Sequence, residues 1–254
     1  MSEARAAGFT PCIIIPVYNH HQKIGAVVER LAAFGVPCLM VDDGSSDECR
    51  DVLKNLAANH RWITLIRQEP NQGKGAAVCL ALREAAKRGF THALQVDADG
   101  QHNLNDLPAF LAMGREHPAC VVSGERIYST VPGNRRYGRL LTDVWVWINT
   151  LSGEIRDSMC GYRLYPLAAT LQVLDKYPIG RRMDFDTDIL VKLYWEGVRV
   201  RHVPTAVVYH EEIISHFDLW QDNVRITRMH TALFFGMLRR IPQLLSRRWR
   251  HASH

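Results

Sequence analysis

The chain has 254 residues, 47% hydrophobic and 22% charged, enough for one large core or two small ones. Its 31 Lys and Arg against 26 Asp and Glu give a net charge of +5, which favours anionic partners (nucleotides, phosphates, acidic lipid or nucleic acid) without choosing among them. No stretch approaches the roughly 20 apolar residues of a membrane-spanning helix. No signal peptide is expected, and six singly placed cysteines with no C-x-x-C argue against a disulfide framework or structural zinc.

Short apolar runs alternate with amphipathic stretches along the chain. C-I-I-I-P-V (12–17) reads as a strand ending in P-V-Y-N (16–19), and within 23–34 Ile24, Val27, Val28 and Leu31 fall on one helical stripe. P-C-L-M-V-D-D (37–43) is a second strand running into V-D-D-G-S-S-D (41–47), where a capping serine opens a helix over 46–59. The strand W-I-T-L-I-R (62–67), a helix over 75–88, the strand H-A-L-Q-V-D (92–97), a helix over 104–116 and the strand A-C-V-V-S-G (119–124) follow. Continuously apolar strands separated by helices predict a mostly parallel α/β sheet covered on both faces, with right-handed crossovers. Such sheets bind ligands beyond the carboxyl ends of their strands. Past about residue 130 the pattern loosens into a long helix over 134–152 with Trp145 and Trp147, a strand-like D-S-M-C-G-Y-R-L-Y (157–165), a helix over 185–196, and a strand pair or one bent strand over 198–209.

The fourth strand runs directly into D-A-D-G-Q-H (97–102), and ionised carboxylates at a buried strand end require a partner. An EF-hand is excluded, since its loop needs Gly at the sixth position and Gly100 falls fourth. Asp99 as a helix cap and Asp97 as a solvated side chain is the plain alternative. The string also resembles the D-x-D-G-T of haloacid-dehalogenase-type phosphatases, although that motif ends the first strand of its fold. The remaining reading is a Mg²⁺ or Mn²⁺ site in which Asp97 and Asp99 address one ion while substrate phosphates fill other positions. No dinucleotide-binding G-x-G-x-x-G follows the first strand, and no P-loop occurs.

The ordered set P-V-Y-N (16–19), V-D-D-G-S-S-D (41–47), N-Q-G-K-G-A-A (71–77), D-A-D-G-Q-H (97–102) and C-G-Y-R-L-Y (160–165) resembles the family 2 glycosyltransferases, and among them the dolichyl-phosphate-mannose-synthase group. The resemblance spans roughly residues 10–210. It implies a GT-A fold, the nucleotide-diphospho-sugar transferase architecture, over 1–215, followed by a C-terminal amphipathic helix over 216–254. It further implies that Pro16, Tyr18, Asn19, Asp43, Lys74, Asp97 and Gln101 bind a UDP- or GDP-linked sugar, with Asp97, Asp99 and His210 at the metal. Lys74, between two glycines at a helix start, combines a cation with free backbone N–H groups. Arg135, Arg136, Arg139, Arg163 and His216 are candidates for an acceptor phosphate or the leaving diphosphate. M-D-F-D-T-D-I (183–189) resembles the family's F-E-F-D-T-E-I, and Asp184 or Asp186 is the candidate general base if the acceptor is a hydroxyl; a phosphate acceptor needs none.

The processive synthases' Q-x-x-R-W is absent from Q-D-N-V-R-I (221–226), which implies one sugar per encounter. In the tail, Ile226, His230, Leu233, Phe234, Met237, Leu238, Ile241 and Leu245 form one stripe flanked by arginines, with a kink expected at Pro242. It is expected to lie on an anionic membrane surface at the cytoplasmic face, with packing on the protein itself or on a second subunit of a homodimer as the alternative. The expected function is an inverting, metal-dependent transfer of one sugar to a polyprenyl phosphate or a lipid head-group hydroxyl. The rivals are a nucleotidyltransferase, a phosphatase with Asp97 as nucleophile, and a silent membrane-binding module. Nucleic-acid binding is not expected, because the arginines lack interleaved aromatics.

Overall fold

The computed structural model describes residues 8–127, 133–206 and 219–252. In chain order the elements are β1 (Pro11–Val17), α1 (His21–Ala32), β2 (Cys38–Asp43), α2 (Asp47–Asn59), β3 (Ile63–Gln68), α3 (Lys74–Lys87), β4 (His92–Gln95), α4 (Leu107–Glu116), β5 (Val121–Ile127), α5 (Gly133–Thr150), β6 (Arg163–Pro166), α6 (Leu167–Lys176), α7 (Phe185–Trp195), β7 (Val200–Ala206), α8 (Leu219–Leu238) and α9 (Ile241–Ala252).

A strand buried on both faces must be apolar at every position, and β1 shows how this sheet is built. Its alternating side chains divide between two cores: Cys12 and Ile14 join α3 and α7 on one face, and Ile13, Ile15 and Val17 join α1, α2 and α4 on the other. Each of the three fully buried isoleucines is worth about 1.5–3 kcal/mol of burial. The seven strands lie in the order β3-β2-β1-β4-β6-β5-β7. β1 pairs in parallel with β2 and β4, β2 with β3, and β5 with β7. β6 alone among them runs antiparallel, to both β4 and β5. Reversal matters for the site, because it sets Arg163, at the start of β6, beside Gln95, at the end of β4, and beside Ser123 of β5.

The strand expected over 157–165 begins only at Arg163. Asp157, fully buried, instead accepts from the Arg126 guanidinium at 2.8 and 2.9 Å and from the Met159 N–H at 3.3 Å, so its side chain holds a local turn in place of a ladder. The sequence reading gave no separate place to α6. β7 is a single strand to Ala206, and the rest of the segment expected to be extended lies outside the described residues.

The C-terminal helices pack on the sheet's own helices. Met229, Leu233 and Met237 of α8 and Leu244 of α9 are buried in the same core as α3 and α7. Gly236 allows the Trp195 ring to lie against α8, since a Cβ there would stand 2.5 Å from it. The chain turns at Arg239 and Arg240, ahead of Pro242, and the Arg240 guanidinium lies 4.5 Å from the Trp195 ring centroid. Much of the stripe expected to face a membrane is therefore spent on the protein's own core.

At the α5–α8 seam, burial pushes the His230 imidazole down to about 4 from the ordinary 6.5, so it is neutral in the fold. The unfolded chain binds the extra proton between those values, and stability there rises with pH. Urea unfolding is expected to show a plateau above pH 7 and a loss of at most about 3 kcal/mol between pH 6.5 and 4, reduced in His230→Gln. An unchanged acid limb in that variant would assign the loss to other groups.

Candidate active site

The carboxyl ends of β1, β2 and β4 converge on a cleft of about 500 Å³, a volume in the range of small-molecule sites. Pro16, Tyr18, Asp43, Lys74, Asp97, Asp99 and Gln101 all line it, so seven of the expected residues meet in one place. The opposite wall comes from residues the sequence reading left out, Arg182 and Met183 before α7 and Gln221, Asp222 and Arg225 on the first turns of α8.

The floor is a charge cluster. The Lys74 ammonium lies 3.0 Å from Asp97 Oδ2 and 3.0 Å from Asp186 Oδ2. Burial works against the ammonium, but Asp186 and Asp97 outweigh it and hold its pKa above the ordinary lysine value. Burial likewise opposes the Asp97 carboxylate, yet Lys74 and His102 hold it well below the usual carboxylate range. His102 Nε2 stands 3.4 Å from Asp97 Oδ2 while its ring stacks on Tyr162, 4.9 Å between centroids. Asp99 is half-buried and accepts the Gln101 N–H at 3.0 Å.

Several expected roles change. Asp43 is 2% exposed, and its oxygens accept from Asn71 Nδ2 at 2.9 Å, from the N–H groups of Gln72 and Gly73 at 2.8 Å each, and from the Gln68 amide. A carboxylate has about four acceptor positions. Asp43 therefore anchors the 71–73 loop that leads into α3 while still lining the cleft. The Ala76 N–H donates to Arg181 O at 3.1 Å. This contact needs Gly75, because a Cβ there would stand 2.5 Å from Gly180 O. Lys74 lines the cleft with its ammonium held between two carboxylates. Asn19 does not line the cleft; its Oδ1 accepts the Ser46 N–H at 2.9 Å and ties the first loop to the second.

Arg163 is not an acceptor contact. It is fully buried and donates to Asp186 O at 2.8 Å, Cys160 O at 3.0 Å, Ser158 O at 3.2 Å, and Ser123 Oγ and Tyr165 Oη at 3.3 Å each. Neither candidate base faces the cleft. Asp186 lies behind Lys74 with Oδ1 3.3 Å from Gln95 Nε2, and Asp184 turns toward the Arg182 N–H at 3.1 Å. Arg135, Arg136 and Arg139 fall on α5, but their side chains lie outside the described residues, as do His210 and His216.

Among the described residues no group of three or more His, Cys, Asp and Glu is arranged to hold a metal. Asp97 and Asp99 nevertheless offer hard oxygen donors to the cleft, the pattern by which Mg²⁺ or Mn²⁺ takes one or two carboxylates and fills its remaining positions from substrate and water. Four carboxylates line the cleft (Asp43, Asp97, Asp99 and Asp222) against three cations (Lys74, Arg182 and Arg225), and the hard oxygens of Asp97 and Asp99 fit a divalent cation.

The geometry agrees with comparisons to known proteins. The chain is 31% identical over 215 residues to a polyprenol monophosphomannose synthase from Mycolicibacterium smegmatis, covering 80% of this chain and 79% of that one. It is 29% identical over 209 residues to an undecaprenyl-phosphate mannosyltransferase from Micrococcus luteus, covering 78% and 83%. Its fold is similar to that of glucosyl-3-phosphoglycerate synthase from Mycobacterium tuberculosis, solved with Mn²⁺, UDP-glucose and phosphoglyceric acid, with a TM-score of 0.66, 15% identity and coverage of 92% and 82%. The parallel sheet with its reversed strand and the cleft at its carboxyl edge are those of the GT-A fold. The model described as glycosyl transferase family 2 matches residues 12–180, and the chain belongs to that family.

Proposed function

We propose that the protein transfers one sugar from a nucleotide-diphosphate sugar to a polyprenyl phosphate at a membrane surface, inverting the sugar carbon. The observation that carries this reading is the cleft, where Asp97, Asp99 and Lys74 meet at the carboxyl edge of the sheet. A diphosphate placed beside Asp97 and Asp99 would be repelled by their carboxylates unless a divalent cation, Mg²⁺ or Mn²⁺ held through Asp99 and Asp97, joined it. Bound there, such an ion supplies neutralisation of the charge that develops on the leaving diphosphate. An acceptor phosphate oxygen attacks the anomeric carbon as the bond to the diphosphate breaks, and the nucleoside diphosphate leaves with the electron pair.

A phosphate acceptor is favoured over a hydroxyl because both Asp186 oxygens are already engaged, by Lys74 and Gln95, and Asp184 accepts the Arg182 N–H and does not line the cleft. A phosphate is an anion and needs no base. The two relatives named for polyprenol and undecaprenyl phosphate support the same choice. One transfer per encounter follows from the missing processivity motif.

Peripheral attachment to the inner membrane face rests on a different surface from the one the sequence pointed to. No described helix is long and apolar enough to cross a membrane. On α5, Leu141 (62% exposed), Val144, Trp145 and Ile148 form an exposed stripe one helical face wide. It continues through Phe234, against Trp145, to the exposed Phe235 and Leu238 of α8. Aromatic and aliphatic side chains on a cationic protein suit the interface of an anionic bilayer. Mass spectrometry of polyprenyl phosphate incubated with UDP- and GDP-sugars tests the reaction: one glycosylated lipid phosphate and a nucleoside diphosphate are expected. Transfer to a hydroxyl lipid alone, or release of free diphosphate, would overturn it.

A further inference from the structure

Gln95 is fully buried at the end of β4, where the strand meets the charge cluster. Its Nε2 lies 3.3 Å from Asp97 Oδ1 and 3.3 Å from Asp186 Oδ1, one amide hydrogen toward each carboxylate. Its Oε1 accepts the Tyr165 hydroxyl at 3.2 Å, and the Tyr165 oxygen accepts from Arg163 Nη1 at 3.3 Å. Arg163 also donates to the backbone oxygen of Asp186 at 2.8 Å.

The direction of this chain is fixed by chemistry. A guanidinium has no acceptor, so it can only donate to Tyr165. With its oxygen so used, the Tyr165 hydroxyl donates onward to Gln95, which orients the amide with its NH₂ toward the two acids. A reversed amide would turn its oxygen against two carboxylates and lose the Tyr165 bond. Gln95 and Lys74 thus bridge the same pair of acids, one through their Oδ1 atoms and the other through their Oδ2 atoms. Lysine is flexible and reachable from the cleft; the buried amide is not.

We propose that Gln95, oriented by Tyr165 and Arg163, is a positioning residue that fixes the separation and orientation of the Asp97 and Asp186 carboxylates, so that Asp97 keeps its aim into the cleft when Lys74 shifts to the donor diphosphate. This deepens the transfer reading and rests on it. The relay lies beneath the cleft and touches no substrate, so it acts on turnover more than on donor binding.

Three variants test it, with donor binding and turnover measured separately. Gln95→Leu and Tyr165→Phe are expected to lower kcat about 10–100-fold with donor KM changed less than about three-fold. Gln95→Glu, the closer isostere, is expected to fall further than Gln95→Leu, because it points an oxygen at two carboxylates; a packing role gives the opposite order. In protein labelled at the glutamine amide nitrogen, the Gln95 NH₂ resonance is expected to exchange slowly with water and to shift in Tyr165→Phe. Unchanged kcat in both Gln95→Leu and Tyr165→Phe while they are folded, or a Gln95 amide exchanging as fast as an exposed one, overturns the proposal. A Gln95 amide that is protected in the wild type and shifts in Tyr165→Phe, when the wild type transfers no sugar, supports the relay and counts against the transfer reading alone.

Discussion

Asp99→Ala is expected to lower sugar transfer by about 10²–10³-fold, the scale of removing one group that stabilises charge in a transition state. Asp99 lines the cleft, is half-buried, and is bound within the protein by the Gln101 N–H. Losing one exposed-edge hydrogen bond costs about 0.5–1.5 kcal/mol, so the fold should survive and the thermal midpoint should move by only a few degrees. Asp97→Asn is expected to be equally inactive but less stable, because Lys74 then keeps a single carboxylate partner, Asp186. Single-turnover rates at several Mn²⁺ concentrations, alongside thermal scans, check both. Near-wild-type transfer by Asp99→Ala would leave Asp99 with no role beyond the turn at Gln101.

The largest effect on stability is expected at Arg163. Arg163→Met is expected to destabilise the fold by about 3–5 kcal/mol, the cost of removing one partner from a buried charged network. The guanidinium is fully buried and satisfies the carbonyls of Ser158, Cys160 and Asp186, which a methionine leaves unpaired in the core. Burial opposes its charge, and neighbouring Tyr165 and Asp186 keep its pKa above the ordinary arginine value, so the cation is the resident form. Arg163→Lys keeps the charge but not the planar fork and should recover only part of the loss. Equilibrium urea unfolding measures both. A loss below about 1 kcal/mol for Arg163→Met would mean that water or local rearrangement replaces those bonds.

What could be read from the sequence follows from which residues have local consequences. The five strands before residue 125 announce themselves as short apolar runs between helical stretches, and the acids at the ends of β2 and β4 stand out against that background. Pro16, Tyr18, Asp97, Asp99 and Gln101 stood out at strand ends and Lys74 through the family resemblance, and the cleft brings them together. Their individual tasks were not legible, because these depend on partners far away in sequence. Asp43, expected at the nucleotide, lines the cleft and also holds the turn at 71–73, twenty-eight to thirty residues on. Arg163 looked like a surface cation in a motif and is a core residue, a consequence of the one antiparallel strand, which no local pattern encodes.

The tail allowed two readings for a related reason. An apolar stripe with flanking arginines has the same pattern whether it meets lipid or the protein's own core. Here Trp195 and Gly236 bring α8 against the core, so the helix supplies Gln221, Asp222 and Arg225 to the cleft instead. The exposed stripe on α5 was present in the sequence as Trp145 in a long helix. Only the packing of Val146 and Asn149 inward reveals which of its faces is left outside. Gln95 passed unnoticed because a single glutamine in an apolar strand carries no signal until Asp97, Asp186 and Tyr165 surround it.

Titration calorimetry of the wild-type protein with UDP, GDP and their sugars, with and without Mn²⁺, tests the central claim most directly. One nucleotide class is expected to bind, more tightly with the cation, and to lose that enhancement in Asp99→Ala. Absence of binding by either nucleotide class, with or without the cation, would contradict the assignment of the cleft to a nucleotide-diphosphate sugar.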